Sequence, residues 1–168
     1  NYLNNIPFAD HGALLDPPTE DVTGRCLSML TQLGEKRGSP AIDHAIDYLR
    51  RTQLAEGSWY GRWGMNYVYG TWSVLCALNA AGVDPGDPMI RKAVAWLKTI
   101  QNPDGGWGED GTSYKLDYRG WEPAPSTSSQ TAWALIGLMA VGESGDAVDR
   151  GVAYLAKTQG TDGFWDEP

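Results

Sequence analysis

Apolar residues recur along this chain at the spacing of a helix face, in two alternating kinds of segment. In the first kind they form one stripe. Residues 39–52 carry Ile42, Ala45, Ile46 and Leu49 on such a stripe, and residues 88–99 and 146–158 repeat the pattern, which predicts three amphipathic helices. In the second kind almost every side is apolar. Residues 71–82 (TWSVLCALNAAG) and 130–142 (QTAWALIGLMAVG) read as helices buried on most faces. Residues 21–34 (DVTGRCLSMLTQLG) make a further helix, with Val22, Cys26, Met29, Leu30 and Leu33 as its apolar face. Thr19, Glu20 and Asp21 offer a capping oxygen and negative charge at its start, and Gly34 ends it. Ser39 suits the N-cap of the next helix, with Pro40 at its first position.

Three stretches break the helical period. Residues 1–20 hold Pro7, Pro17 and Pro18 and read as a loop leading into the array. Residues 56–70 (EGSWYGRWGMNYVYG) are too rich in glycine for a helix, and residues 111–129 form a polar, aromatic connector with Pro123 and Pro125.

The two helix types align with their own kind. Thr23, Thr71 and Thr131 correspond, as do Leu27, Leu75 and Leu135, and Gly34, Gly82 and Gly142, at offsets of 48 and 60. The chain therefore reads as three helical hairpins, over about residues 21–64, 69–110 and 129–168, each a buried helix followed by an amphipathic one. Stacked hairpins put the apolar helices inside and the amphipathic ones outside, an all-α toroid segment. Each hairpin ends in the same clip: Gln53 and Trp59, Gln101 and Trp107, Gln159 and Trp165, six residues apart every time. In QNPDGGW, the Pro-Asp-Gly run forces a turn that returns Trp107 to the outer layer, while the Gln101 amide can reach unpaired backbone at a neighbouring helix end. The expected role of all three pairs is structural.

Composition narrows the function. Lys and Arg number 13 against 21 Asp and Glu, net −8, which argues against a nucleic-acid partner. No apolar run nears the ~18 residues of a spanning helix. The chain opens at Asn1 without a charged-then-apolar leader, so neither a secretory signal nor an initiation site is expected. Cys26 and Cys76 sit among apolar residues and read as small buried hydrophobes in a reducing compartment. Eight tryptophans and eight tyrosines against two phenylalanines suggest rigid aromatic walls rather than a plain core. His11 and His44 lack a second ligand at useful spacing, and Gly106-Trp-Gly108 follows no strand, so no metal, nucleotide or other cofactor is implied.

The repeated Gln…Gly-x-Trp clip resembles the QW motif of the triterpene cyclases. NIPFADHGALLDPPTEDVTGR, GSWYGRWGMNYVYGTWSVLCALNA, QNPDGGWGED and PSTSSQTAWAL resemble the squalene–hopene cyclases, over the whole chain, and the bacterial squalene cyclases more than the oxidosqualene ones. The resemblance implies a fold of α/α barrels, with this chain an incomplete ring of the catalytic barrel. It implies squalene, or a similar polyprenyl chain, as substrate, protonated at a terminal alkene and folded through carbocations to hopene or hopanol. A monotopic contact with the cytoplasmic face of a membrane is also implied for the full protein. The piece alone is expected to be soluble, with a homodimer as one way to cover its open edges.

Physics agrees with the aromatic cluster: a ring face attracts a cation by about 2 kcal/mol when dry and offers no lone pair that ends a cascade. The resemblance makes Trp63 a wall of the cavity, Phe8 a narrow point of the substrate channel, and Tyr69 a neighbour of the catalytic acid. It also makes Asp21 a carboxylate supporting that acid and Arg25 its cationic partner. Asp21 and Arg25 are four apart on one helix, so the two side chains can meet. Tyr60, Tyr67 and Trp72 are expected to pack. The family's Asp-x-Asp-Asp proton donor does not occur in these 168 residues, and three hairpins are too few to close a barrel. The chain reads as an internal piece of a cyclase that does not turn over squalene alone. A zinc-dependent prenyltransferase-like toroid and a non-catalytic helical scaffold are the alternatives; the first lacks a Cys/His/Asp ligand set, and a bound polyprenyl analogue would exclude the second.

Overall fold

The structure, a computed structural model, describes residues 17–114 and 120–167. Six α-helices follow one another: α1 (Glu20–Gln32), α2 (Pro40–Thr52), α3 (Tyr67–Ala80), α4 (Pro88–Thr99), α5 (Ser128–Ala140) and α6 (Asp146–Thr158). Among the described residues a 3-10 turn, Gly111–Tyr114, and an isolated bridge between Trp107 and Thr127 lie in the connectors. α3 packs between α1 and α5, while α2, α4 and α6 each cover the inner helix of their own hairpin. The core fills the space between the two layers with Leu27, Ile42, Leu49, Leu75, Ile90 and Leu138. Inner helices touch almost backbone to backbone: a Cβ on Gly24 would stand 3.1 Å from the Ser73 carbonyl oxygen, and one on Gly137 3.3 Å from the Trp72 Cα.

The first two clips act at three points, and the third shares the indole contact. The indole N–H of Trp59, Trp107 and Trp165 donates to a carbonyl of its own outer helix, at Leu49 (2.7 Å), Leu97 (2.8 Å) and Leu155 (2.9 Å). The amide Nε2 of Gln53 and Gln101 donates both to its own turn, at Gly57 and Gly105, and to the first turn of the next outer helix, at Met89 and Ala147. The backbone N–H of Trp59 and Trp107 donates to the hydroxyls of Thr71 and Thr131 on the next inner helix. The aligned threonines are thus receivers of the preceding clip. The third clip closes on its own turn, Gln159 to Gly163, with no later hairpin among the described residues, and Trp165 is 38% exposed.

The outer helices Pro88–Thr99 and Asp146–Thr158 match the expected bounds. The inner ones differ. α3 begins at Tyr67, inside the glycine-rich stretch expected to be non-helical, and α5 begins at Ser128 rather than at Gln130. Carboxylates from distant loops hold both first turns, as described below. Thr19 and Ser39 stand at N-cap positions without side-chain caps.

The stripe expected to be the buried face of α1 is largely exposed at Val22, Cys26, Met29 and Leu33; Asp21, Gly24 and Leu27 are buried instead. The counterparts of that stripe, Gly70, Val74, Ala77 and Ala81 in α3 and Gln130, Ala134, Gly137 and Val141 in α5, are buried. Those two helices each follow an inner neighbour, and α1 follows none among the described residues. For the same reason Cys26 is exposed where burial was expected; Cys76, on α3, is also only half-buried.

Full burial of Trp107 sets a clear expectation: Trp107→Ala lowers stability by about 3–5 kcal/mol, and Trp165→Ala by less than half as much. Denaturant unfolding midpoints of the two variants check the ranking.

Candidate functional site

The repeat places Asp21, Tyr69 and Ser129 at one level, in the first turn of α1, α3 and α5. On α3 and α5, Tyr69, Trp72 and Trp133 form one aromatic cluster. Trp72 and Trp133 stack with centroids 5.7 Å apart and planes 13° from parallel, and Tyr69 meets Trp133 edge-on at 5.2 Å and Trp72 at 5.5 Å. The Arg25 guanidinium of α1 lies over Trp72, 4.4 Å from the ring centroid. All three rings are only half-buried. Trp72, expected to be packing, therefore belongs to this exposed aromatic face. Tyr67 does pack: it is buried and takes Tyr60 edge-on at 5.7 Å.

The loop before α3 wraps Tyr69 closely. A Cβ on Gly61 or Gly64 would stand 2.7 or 2.6 Å from its ring, so only glycine fits the backbone there. Asp21 anchors this loop. It is 1% exposed, and its Oδ2 accepts the Trp63 N–H at 2.9 Å, while Ser73 Oγ donates to the Asp21 carbonyl. Asp21 Oδ1 has no hydrogen-bond partner among the described residues. The expected ion pair between Asp21 and Arg25 does not form. Asp21 turns inward to the loop, and the four-residue spacing leaves Arg25 on the exposed side, where Trp72 takes its charge. Trp63 is 48% exposed, with the Arg62 guanidinium 6.0 Å from its ring. Phe8 and His11 lie outside the described residues. His44 is exposed, and no group of three His, Cys, Asp or Glu side chains among the described residues could hold a metal.

Sequence reasoning missed Glu109. Its carboxylate, 3% exposed, accepts backbone N–H groups of Asn66 (3.1 Å), Tyr67 (3.0 Å) and Val68 (3.0 Å) at the start of α3. Burial pushes its pKa above the usual carboxylate value, against the pull of these N–H groups. Gln130 Nε2 donates to the Glu109 carbonyl at 2.6 Å, which ties α5 to the same node. A signal was available: Glu167 also stands two residues after a clip tryptophan, and its carboxylate accepts from the N–H (2.6 Å) and hydroxyl (2.9 Å) of Ser129 in the first turn of α5. Glu109, Glu167, Met65, Gln130 and Trp133 line a common cavity of about 580 Å³. An apolar groove of about 450 Å³ between α1 and α2 lies on the open side, lined by Val22, Cys26 and Ala45.

Asp21→Ala removes the acceptor that holds the Trp63 amide, so that N–H exchanges with solvent at least about tenfold faster. Hydrogen exchange at Trp63 is the measurement; unchanged protection would mean the loop is held by other contacts.

A family profile for the squalene-hopene cyclase C-terminal domain matches residues 1–168. The chain is 72% identical over 168 residues to a probable squalene–hopene cyclase of Sinorhizobium fredii, covering 99% of this chain and 26% of that protein. It is 70% identical to a squalene–hopene cyclase of Bradyrhizobium diazoefficiens, with the same 99% and 26% coverage. It is 54% identical to one from Schizosaccharomyces japonicus, at 98% and 25% coverage, so the likeness is not confined to bacteria. The chain spans about a quarter of the length of these relatives. A type II terpene cyclase from Scytonema shares the fold, with TM-score 0.67 and 24% identity over 98% of this chain and 41% of that one.

Proposed function

The chain belongs to the squalene–hopene cyclase family, as part of the C-terminal domain, and from that premise we propose that the full-length protein cyclises squalene to hopene or hopanol. A proton adds to the terminal alkene, the positive charge moves as each ring closes, and the cascade ends by loss of a proton or capture of water. This chain supplies part of the wall of the catalytic α/α barrel, and the proton donor comes from the rest of the protein. The protein works as an intramolecular isomerase or, when water adds, as a lyase run in reverse.

The observation that carries this reading is the half-buried cluster of Tyr69, Trp72 and Trp133 on adjacent inner helices. Ring faces attract a passing carbocation without bonding to it. A cavity lined with carboxylates alone would trap the cation. In this reading Tyr69 stands beside the proton donor. Asp21 supports the donor through its unpartnered Oδ1 while its Oδ2 holds the Trp63 loop. Arg25 is the cationic partner in this group, and its guanidinium is steadied by Trp72. Trp63 and Phe8 contact the substrate chain. No helix of the described residues is long and apolar enough to cross a membrane. We place the full protein on the cytoplasmic face by a one-leaflet contact, through which squalene enters; a homodimer is one way for the isolated piece to cover its open edges.

The full-length protein should convert squalene to a pentacyclic hydrocarbon or alcohol detectable by gas chromatography, and Tyr69→Phe should lower turnover by about 10²-fold. The isolated chain should form no product. Product from the chain alone would place the proton donor within these residues and overturn the assignment.

A further inference from the structure

The Glu109 carboxylate does more than join two loops. It is the acceptor for three consecutive N–H groups at the start of α3, all within 3.1 Å. The next residue after these three is Tyr69. A helix start carries a partial positive charge of about half a unit, concentrated on those unpaired N–H groups. That charge would oppose a cation held nearby, and a buried carboxylate placed on it cancels the field. The geometry brings the two together: Glu109 and Trp133 line the same cavity of about 580 Å³, and Trp133 contacts both Tyr69 and Trp72. The same device recurs one hairpin later, where Glu167 holds the first turn of α5, the helix that carries Trp133.

Resting on the cyclase reading above, we infer that Glu109 is a positioning residue of the reaction. It fixes the first turn of α3, and so the direction of Tyr69, and it neutralises a helix terminus that would otherwise repel cationic intermediates from the Tyr69–Trp133 rings. Its charge and its position both matter. The carboxylate makes no contact with the reacting carbon and exchanges no proton with it.

The test uses the full-length protein. Turnover per folded molecule is measured for wild type and Glu109→Gln, together with affinity for two ligands of one shape, a polyprenyl tertiary ammonium and its neutral hydrocarbon isostere. The expected result is about a tenfold loss of kcat, with KM within about twofold. Ammonium affinity falls about tenfold while that of the neutral ligand holds. A purely structural role weakens both ligands equally, or lowers only the folded fraction, and either outcome overturns the inference. Glu109→Asp keeps the charge and shortens its reach. It should retain the preference for the ammonium while losing kcat, and it decides alone if Glu109→Gln does not fold: full turnover, or loss of the ammonium preference, overturns the inference. Wild-type protein that neither binds nor converts squalene defeats the cyclase reading instead, which separates the two failures.

Discussion

A helix that ends leaves carbonyls without partners, and a helix that begins leaves N–H groups without them. In this protein one repeated element answers both needs. The clip tryptophan donates its indole N–H back to a carbonyl of the outer helix just completed, at Leu49, Leu97 or Leu155. The clip glutamine reaches forward to the next outer helix, and the tryptophan amide reaches forward to a threonine of the next inner helix. The first and second hairpins are thereby each hydrogen-bonded to their successor outside the apolar core. Trp59 and Trp107 are fully buried because a later hairpin covers them, while Trp165 stays partly exposed. Stability in such an array is a sum of hairpins and of the seams between them, and the seams are polar at the rim and apolar within.

This explains what was legible in the sequence and what was not. The outer helices announce themselves, since a single apolar stripe, a proline in the first turn and a clip glutamine after the last turn are all local marks. α4 carries all three marks and α6 the stripe and the glutamine, and both have the bounds those marks predict. The inner helices carry apolar residues on almost every side, so periodicity says little about where they start. Their starts are set from far away: Glu109 fixes the first turn of α3 from 42 positions on, and Glu167 that of α5 from 38. Likewise the stripe Val22, Cys26, Met29 and Leu33 is apolar, as the spacing predicts, yet exposed. Burial of such a face depends on a neighbouring inner helix, and α1 follows none among the described residues.

The aromatic face shows a further limit of spacing. Four residues on a helix bring Asp21 and Arg25 within reach, yet the structure gives each a different partner. Asp21 is buried against the loop and the Ser73 hydroxyl, and Arg25 rests on Trp72. A guanidinium is weakly hydrated and flat, so it gains from a ring face what an exposed ion pair would yield only marginally. The result is a cation already seated on the aromatic surface. It lies 4.4 Å from the centre of the Trp72 ring, with which Trp133 also stacks, so charge and rings form one continuous surface.

The first hairpin departs from the rule of its neighbours, and the departure has a steric cause. Two residues after their clip tryptophans, the second and third hairpins carry Glu109 and Glu167; at that place the first carries Gly61. A Cβ there would stand 2.5 Å from the Asn66 carbonyl oxygen and 2.7 Å from the Tyr69 ring, so no acidic side chain fits beside Tyr69 from the loop. The carboxylate comes from the helix instead, as Asp21, and the loop supplies the N–H, which reverses the direction of the hydrogen bond. A carboxylate that accepts one loop amide leaves its second oxygen unused, where Glu109 spends both of its own on N–H groups. Closeness of Tyr69 to the loop backbone is therefore what frees an acceptor at Asp21. The break in the repeat and the candidate site coincide because one ring occupies the space that the repeat would have used.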